Sequence, residues 1–298
     1  MVTETKTELV GDTIGALEDC RLAFIGCGAM AEAMIAGLLR KKLISPDNVV
    51  GSHPRQARRE ELHVKYGIKM FDDNRDAVLA AAPDDSQTGS MVILAVKPQR
   101  LAKVLEELKG SIHPDQLVVS IVAGAKMLTI TDALLHAAVV RAMPNTPAQI
   151  GEGVTAWTTS PAVNERQETQ VRALLEALGK AVRVENERQI DMATALSATG
   201  PTYIFLVMEA LIDAGVHMGF SRHVAEELVH QAMLGSVLFA RESHKHPAEL
   251  RNMVTSPGGT SAEAIYQMEK GSLRTVLSKA VWAAFQRAES LGGKRTTD

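Results

Sequence analysis

Two stretches of the sequence carry residues whose types and spacing could perform chemistry, and the first is a glycine turn near the N-terminus. The turn Gly26–Gly28 separates a short apolar run, Leu22–Ile25, from a helical pattern over Ala29–Leu39. Glycines permit a tight turn and let a pyrophosphate approach the main chain, and the next helix offers N–H groups and its positive dipole end. This arrangement is typical of a dinucleotide site, although a strand-to-helix turn favours glycine in any case.

The second stretch joins two helical patterns near the C-terminus. Its two glycines expose the main chain just before a helix, and three of its residues carry hydroxyl groups, which together suit a small carboxylate or phosphate. The candidate substrate-binding residues are Ser256, Pro257, Gly258, Gly259, Thr260 and Ser261. Thr260 and Glu263 also have the spacing of a capping box, so a well-capped turn between two helices is the alternative interpretation.

Three further loops follow apolar runs that read as buried strands, and we expect them to meet the same cofactor. They are Ala95–Pro98, Val122–Gly124 and Met143–Pro147. In parallel sheets, ligands bind at the carboxyl ends of the strands. Lys97 either approaches the nucleotide or is simply exposed at a strand end. The last loop, with prolines on both sides of Asn145-Thr146, is either a rigid polar edge of the site or a stiff linker.

The end of the second predicted strand indicates which dinucleotide is bound. An NAD site usually has an acidic residue there to hold the ribose hydroxyls. This chain instead has Ser52, His53 and Arg55, with Arg58 and Arg59 one turn further on. Arginine offers phosphate a fork of donors, so the pattern favours NADPH over NADH. The alternatives are that the arginines form the solvated face of a helix, or that both cofactors are used.

The long C-terminal helical pattern lacks a group that alcohol dehydrogenation would need. A hydride enzyme that acts on an alcohol requires a general base for the hydroxyl proton. The segment from Arg188 to Phe220 contains no lysine; its titratable side chains after Arg188 are Asp191, Glu209, Asp213 and His217. A protonated C=N bond already carries the positive charge that attracts hydride, so orientation and anchoring of the substrate could suffice. The pattern therefore favours reduction of an imine.

These motifs are placed on an α/β fold: a parallel sheet, followed by an all-helical part. Strands and helices alternate up to about Glu185, as in a doubly wound sheet. We predict a flexible tail over residues 1–18 whose last residues enter a turn, a dinucleotide-binding domain over 19–185 and a helical substrate-binding domain over 186–298. Ile204–Leu211 is apolar nearly all round, which predicts burial against a second subunit and a homodimer through the C-terminal helices. The alternative is a compact monomeric bundle.

Composition narrows the class of protein. The chain has 298 residues, of which 22% are charged, and its net charge is -3. This balance does not indicate a nucleic-acid partner. Neither Cys20 nor Cys27 belongs to a disulfide or zinc pattern, which fits a reducing compartment and no metal. We count no apolar run long enough to span a bilayer and find no signal-peptide core, and therefore expect a cytoplasmic protein without a membrane partner.

With these residues assembled, the sequence resembles the delta-1-pyrroline-5-carboxylate reductases from about Leu22 to Leu291. The motifs that carry the resemblance are FIGCGAMAEAMIAGL (Phe24–Leu38), AVKP (Ala95–Pro98), MPNTPA (Met143–Ala148), ATGPTY (Ala198–Tyr203) and HPAELRNMVTSPGGTS (His246–Ser261). The resemblance implies an N-terminal Rossmann-type domain and a helical C-terminal domain that forms interlocked dimers, often within a decamer. It also implies hydride transfer from NAD(P)H to the C=N bond of 1-pyrroline-5-carboxylate, giving L-proline.

The resemblance further implies roles for individual residues. Ser261 stands where the family usually has a threonine near the ring nitrogen of the substrate, so Ser261 and its neighbour Thr260 are candidate catalytic residues. The implied cofactor-binding residues are Ile25, Gly26, Cys27, Gly28, Ala29, Met30, His53, Arg55, Asn74, Ala95, Val96, Lys97, Pro98, Ile121, Val122 and Ala123.

Departures from the family pattern leave two alternatives. Ser261 lacks the methyl group that restricts a threonine rotamer, and the family's SGSGPAY is SATGPTY here, over Ser197–Tyr203. The chain could therefore reduce another cyclic imino acid. It could also be a non-catalytic regulatory member of the same fold, although such a protein is expected to lose the glycine turn or the loop Ser256–Ser261, and both are intact.

Overall fold

Eight strands form one sheet in the order β3-β2-β1-β4-β5-β6-β7-β8. The structure is a computed structural model, and it describes residues 15–84 and 88–293. The strands are β1 (Cys20–Ile25), β2 (Val49–Ser52), β3 (Lys69–Phe71), β4 (Gly89–Leu94), β5 (Leu117–Ser120), β6 (Val139–Met143), β7 (Gly153–Thr159) and β8 (Gly179–Arg183). Every neighbouring pair is parallel except β6 and β7. The predicted Rossmann-type α/β fold is confirmed.

Twelve α-helices accompany the strands in the described part of the chain. They are α1 (Ala29–Arg40), α2 (Gln56–Tyr66), α3 (Asn74–Ala80), α4 (Pro98–Leu108), α5 (Met127–Leu134), α6 (Glu165–Glu176), α7 (Glu187–Ala193), α8 (Gly200–His217), α9 (Arg222–Ser243), α10 (Pro247–Met253), α11 (Thr260–Lys270) and α12 (Leu273–Leu291). Apolar strand residues point to both faces of the sheet. Helices α1, α2 and α6 cover one face and α3, α4 and α5 cover the other, giving two cores.

A small residue on α1 permits a close approach to the end of α6. A Cβ on Gly37 would lie 2.9 Å from the main-chain oxygen of Ala177, just beyond the end of α6. Packing at this distance leaves no room for a side chain. The helix that follows the glycine turn is therefore packed closely against the end of α6.

The segment predicted as a flexible tail is packed at its end. Residues 1–14 lie outside the described part of the chain, but residues 15–18 form a turn before β1, and Leu17 is only 2% exposed within the core under α1. The turn was expected. The burial of Leu17 was not, because the few apolar residues of this polar stretch make no periodic pattern.

The long C-terminal helical run contains a π turn. Residues Thr194–Ala198 join α7 to α8, with the N–H of Thr199 donating to the carbonyl of Thr194 at 2.9 Å. Such turns are frequent at functional sites. The combined helical run, Glu187–His217, is long and apolar enough, by length and composition alone, to cross a membrane, contrary to the expectation that no run would be. A single helix of this kind is weak evidence for a membrane segment, since soluble proteins contain similar helices.

The chain divides into two compact units. The first comprises the residues up to Thr199 together with those from Ala284 onward, and the second is Gly200–Ala283. In the second unit many large apolar side chains are exposed, including Phe205, Leu206 and Leu234. The predicted burial of Ile204–Leu211 is therefore not achieved within the single chain.

Candidate cofactor and substrate sites

The predicted cofactor loops meet at the carboxyl edge of the sheet, where main-chain hydrogen bonds join them. The N–H groups of Gly26 and Cys27 donate to the carbonyl of Ser52, at 3.2 and 3.1 Å. The N–H of Ala95 donates to Ile25, and that of Ile121 donates to Leu94. Strand β1 lies between β2 and β4, so this edge contains the point where the strand order reverses. Open α/β sheets bind their ligands at that point.

The glycine turn has the shape that a pyrophosphate requires. Gly26 has φ +86°, and a Cβ there would lie 2.4 Å from Cγ1 of Val96, so only glycine fits. A Cβ on Gly28 would meet nothing within 4 Å, which leaves open space above the start of α1. Because Gly26 and Cys27 donate to Ser52, the N–H groups left for an anion are those of the first turn of α1, at Ala29 and Met30. The residues present therefore fit a dinucleotide.

Cys27 has a packing role in this turn. Its side chain is fully buried, and burial raises the pKa of the thiol to about 12 despite the Ser52 hydrogen bond and the nearby Arg58. A Cβ on Gly51 would lie 2.5 Å from the Cys27 sulfur. The thiol is protonated and closely packed, so it is not a nucleophile.

Arg58 contacts the glycine turn instead of projecting toward a phosphate. Its Nε donates to the carbonyl of Cys27 at 3.2 Å, and its guanidinium pairs with Glu32 and Glu61. Glu32 also accepts from Lys65 at 2.8 Å and from the hydroxyl of Tyr66 at 2.9 Å. Burial opposes ionisation of Glu32, but the hydrogen bonds from Lys65, Arg58 and Tyr66 outweigh it and lower the pKa of Glu32 to about 2. The interpretation of Arg58 as a phosphate ligand is not supported, because its donors have partners within the fold.

The end of β2 carries a basic group of side chains. His53 is half-buried, and its desolvation, together with the charges of Arg55, Arg58 and Arg59, lowers its pKa. Nη1 of Arg59 donates to the carbonyl of His53 at 2.9 Å and to that of Pro54 at 3.1 Å. The side chain of Arg55 is exposed. Of the arginines in this segment, Arg55 is thus the one whose guanidinium is most open to a cofactor phosphate.

Asn74 lies at the start of α3, next to the end of β2. Its Oδ1 accepts from the hydroxyl of Ser52 at 2.7 Å, and its Nδ2 donates to Oε2 of Glu107 at 2.7 Å. Glu107, which the sequence analysis missed, belongs to α4, 33 residues away along the chain. The carboxylate of Glu107 fixes the orientation of the Asn74 amide, but no local sequence pattern predicts a partner so far along the chain.

The loops after β4 and β5 differ in exposure. Lys97 is exposed immediately before α4, and Pro98 is the first residue of that helix. Val122 is buried, whereas Ile121 and Ala123 are half-buried at the sheet edge. Gly124 has φ +73°, and a Cβ there would lie 2.7 Å from Cβ of Leu291. The end of α12 thus packs directly on this loop, a contact that the sequence analysis did not foresee.

A buried ion pair lies behind the loops after β5 and β6. Arg141 on β6 is 1% exposed, and its guanidinium pairs with Glu187 at 3.2 Å and Asp191 at 2.6 Å. Oε1 of Glu187 also accepts from the N–H of Met127 at 2.8 Å, at the start of α5. Loss of one partner of a buried pair is strongly destabilising, so this group is structural support for the edge. Sequence reasoning missed it because its members are 46 and 50 residues apart.

The loop Ser256–Ser261 lies in the second unit, between α10 and α11. Gly258 has φ +71°, which favours glycine, and a Cβ on Gly259 would lie 2.6 Å from Oγ of Ser256, so a side chain at Gly259 would displace that hydroxyl. The predicted capping box is wrong: Gly259 is the N-cap, and no side chain caps the helix. Since Thr260 is already helical, its hydroxyl does not close onto the turn. The N–H groups of Thr260 and Ser261 therefore have no partner in the helix, as an anion site needs.

The chain is similar in sequence and structure to known reductases. A family model described as pyrroline-5-carboxylate reductase dimerisation matches residues 187–291, and one described as NADP oxidoreductase, coenzyme F420-dependent, matches residues 21–124. Curated pyrroline-5-carboxylate reductases from Synechocystis and Methanosarcina acetivorans are 37% and 38% identical, over 92% and 93% of this chain and 99% and 100% of their own lengths.

Two solved structures extend this similarity. A pyrroline-5-carboxylate reductase from Coxiella burnetii has a TM-score of 0.81 at 35% identity, covering 92% of this chain and 99% of its own. The pyrroline carboxylate reductase of Plasmodium falciparum, solved with NADP bound, also has a TM-score of 0.81, at 28% identity over 92% and 98%. Identity above 30% across nearly the whole length of both chains places the sequence within one family. The chain belongs to the pyrroline-5-carboxylate reductases, oxidoreductases that act on a CH–NH group.

Proposed function

We propose which residues carry out the reaction of this family in this chain: the reduction of the C=N bond of 1-pyrroline-5-carboxylate to L-proline, the last step of proline biosynthesis. The observation that carries the assignment is a pair of open helix N-termini, each preceded by glycines. One, at Ala29 and Met30, suits the pyrophosphate of a nicotinamide dinucleotide. The other, at Thr260 and Ser261, suits the carboxylate of the substrate.

The substrate loop anchors and orients the imino acid. Main-chain N–H groups at Thr260 and Ser261, with the hydroxyl of Ser256, hold the carboxylate, and this fixes the ring relative to the loop. The hydroxyl of Ser261 accepts a hydrogen bond from the protonated ring nitrogen and so favours the protonated imine, which is the form that accepts hydride. A bound reduced nicotinamide supplies that hydride to the ring carbon. Thr260 is assigned a supporting role through its exposed hydroxyl.

The cofactor-binding residues divide between the two halves of the dinucleotide. Ile25–Met30 hold the pyrophosphate, and His53, Arg55 and Asn74 hold the adenosine ribose. Ala95–Pro98 and Ile121–Ala123 then lie toward the nicotinamide. We propose NADPH as the preferred cofactor, with NADH as a weaker alternative, since the end of β2 carries His53 and the exposed Arg55 and no acidic residue.

We propose a homodimer through the C-terminal helices, with a decamer of such dimers as the larger assembly, in the cytoplasm. The support is the match of residues 187–291 to a dimerisation model, together with the exposed apolar side chains of the second unit. A membrane or nucleic-acid partner is not part of the proposal.

The test is the oxidation of NADPH and of NADH by the purified protein with racemic 1-pyrroline-5-carboxylate, with proline identified as the product. We expect turnover with both and a higher kcat/KM for NADPH. Absence of turnover by folded protein that still binds NADPH would contradict the function. A six-membered cyclic imine in the same assay tests the alternative substrate, because one ring carbon changes binding by only about 1–3 kcal/mol.

A further inference from the structure

A proline leaves one carbonyl of the π turn without its usual helical partner. In an α-helix, the carbonyl of Ser197 would accept from the N–H of residue 201, but that residue is Pro201, which has none. The structure shows what replaces it. Nδ2 of Asn145 donates to the Ser197 carbonyl at 3.2 Å.

Asn145 is held in place by a second bond. Its Oδ1 accepts from the N–H of Val154 at 2.9 Å, and the residue is only 8% exposed. The amide therefore uses an acceptor toward β7 and a donor toward the π turn, which determines its orientation. Glutamine is too long for this geometry, and aspartate keeps the acceptor while losing the donor.

The bond between Asn145 and Ser197 lies on the side of the sheet where the nicotinamide is expected. Asn145 is the second residue after β6, and β6 pairs with β5, whose loop includes Ala123. Met143 at the end of β6, Ala123 and Ala198 in the π turn belong to one apolar cluster. If the pyrophosphate lies at β1 and the adenosine at β2, the strand order puts the nicotinamide on the β4–β5–β6 side of the sheet.

We propose that Asn145 is a positioning residue for hydride transfer: by tying the loop after β6 to the carbonyl that Pro201 leaves free, it fixes the sheet edge beside the nicotinamide. The inference rests on the proposed function for its kinetic consequence. It assigns Asn145 no contact with cofactor or substrate. Its effect is on the geometry of the reacting groups, and so on kcat more than on the binding of NADPH.

The test is Asn145→Asp, measured alone and together with Pro201→Ala. Alone, it should lower kcat about tenfold, the effect of one lost hydrogen bond in a buried place, and change the KM for NADPH less than about twofold. Pro201→Ala restores an N–H that can reach the Ser197 carbonyl, so in that background the loss caused by Asn145→Asp should shrink to less than about threefold. A purely structural role would lower the free energy of unfolding and leave the kcat of the folded enzyme unchanged.

Hydrogen exchange in the cofactor-free protein provides an independent readout. Asn145→Asp should speed exchange of the Thr199 N–H, which bonds across the π turn, and Pro201→Ala should reverse the effect. The matched control is Asn186→Asp: the side chain of Asn186 caps α7 by accepting from the N–H of Gln189, a bond that aspartate keeps. We expect this control to match the parent enzyme.

An equal loss of kcat in both backgrounds, or unchanged kcat in Asn145→Asp, would overturn the proposal. Asn145→Ser removes the bond without adding a charge. If Asn145→Asp does not fold, the kcat of Asn145→Ser is compared with and without Pro201→Ala instead. If the parent protein fails to reduce the substrate, the proposed function fails, while hydrogen exchange still tests the Asn145–Ser197 bond.

Discussion

Arg58 holds the main-chain carbonyl of Cys27 through its Nε at 3.2 Å. This bond joins α2 to the glycine turn, and the ion pair between Arg58 and Glu32 joins α2 to the first turn of α1. The guanidinium therefore stabilises the conformation in which the N–H groups at the start of α1 are open. Any effect of Arg58 on the cofactor is an effect on the pyrophosphate site, which NADPH and NADH share.

The first prediction separates this role from phosphate recognition. Arg58→Gln should weaken binding of NADPH and NADH by the same factor, about three- to tenfold, because the loss falls on the shared turn. Arg55→Gln, the matched change at the exposed neighbour, should weaken NADPH alone. Titration of both cofactors against both variants measures this. If Arg58→Gln weakened the binding of NADPH alone, Arg58 would be shown to contact the 2′-phosphate.

The second prediction concerns pH. Desolvation and three neighbouring arginines lower the pKa of His53 below its ordinary value of 6.5, so its imidazole is neutral at pH 7 and takes up a proton only on further acidification. The charged ring should then attract the 2′-phosphate. The ratio of the NADPH Kd to the NADH Kd is expected to fall as the pH decreases below 6.5. His53→Gln removes the contribution of the ring, so below pH 6.5 its ratio should exceed that of the parent protein. This comparison separates the imidazole from the 2′-phosphate, whose own second pKa is about 6.

The third prediction concerns stability. The pKa of Glu32 is about 2 in the folded chain, below its ordinary value of 4.5, so the ionised form is favoured by folding. Its contribution is fully present above pH 4.5 and is lost as the pH falls toward 2. Glu32→Gln should lower the free energy of unfolding by about 1–2 kcal/mol at pH 7, with allowance for partial exposure, and by less at pH 3.

Urea denaturation at several pH values measures this difference. Glu61→Gln is the control, because Glu61 pairs with the same arginine but its side chain is 55% exposed, and we expect a smaller change. A loss in Glu32→Gln that is the same at pH 7 and pH 3 would contradict the assignment of the effect to the Glu32 carboxylate.

The fourth prediction tests the substrate loop. Ser261→Ala should lower kcat/KM with 1-pyrroline-5-carboxylate at least about tenfold, whereas Ser261→Thr keeps the hydroxyl and should stay close to the parent. Thr255→Ala is the control at the residue just before the loop. The hydroxyl of Thr255 donates to the carbonyl of Arg251 in α10 at 2.7 Å, so we expect its role to be structural. Unchanged kcat/KM in Ser261→Ala would remove this hydroxyl from the mechanism.

The strands were predictable because the sheet is buried on both faces. Leu22–Ile25 and Met91–Leu94 are uninterrupted apolar runs, and in the structure both are fully buried. The glycine turn was also predictable, since Gly26 needs a positive φ and the space that a Cβ would fill. Local patterns suffice where the physical requirement is local.

Partners distant along the chain were not predictable. The sequence around Arg58 does not show whether its guanidinium binds a phosphate or pairs with Glu32, which is 26 residues away. Pro201, which has no N–H, indicates that the regular hydrogen bonding of the helix is interrupted nearby. That the interruption is a π turn, whose free carbonyl is satisfied by Asn145, depends on a contact across 52 residues. The same limit explains the wrong capping box at Thr260: the spacing was correct, but the helix begins one residue earlier than that motif requires, at Thr260 itself.

The last prediction compares two glycines with the same backbone conformation. Gly124 has φ +73° and Gly110 has φ +75°, so alanine costs about 1 kcal/mol at either position for the positive φ alone. At Gly110 the added Cβ would meet nothing within 4 Å, whereas at Gly124 it would lie 2.7 Å from Cβ of Leu291 and 2.8 Å from its main-chain carbon. Gly124→Ala should therefore cost about 1–3 kcal/mol more than Gly110→Ala in urea denaturation, because the end of α12 must move. Since Gly124 directly follows Ile121–Ala123, Gly124→Ala should also raise the KM for NADPH, and Gly110→Ala should not. Equal losses of stability in the two variants would mean that the end of α12 is not packed on this loop in solution.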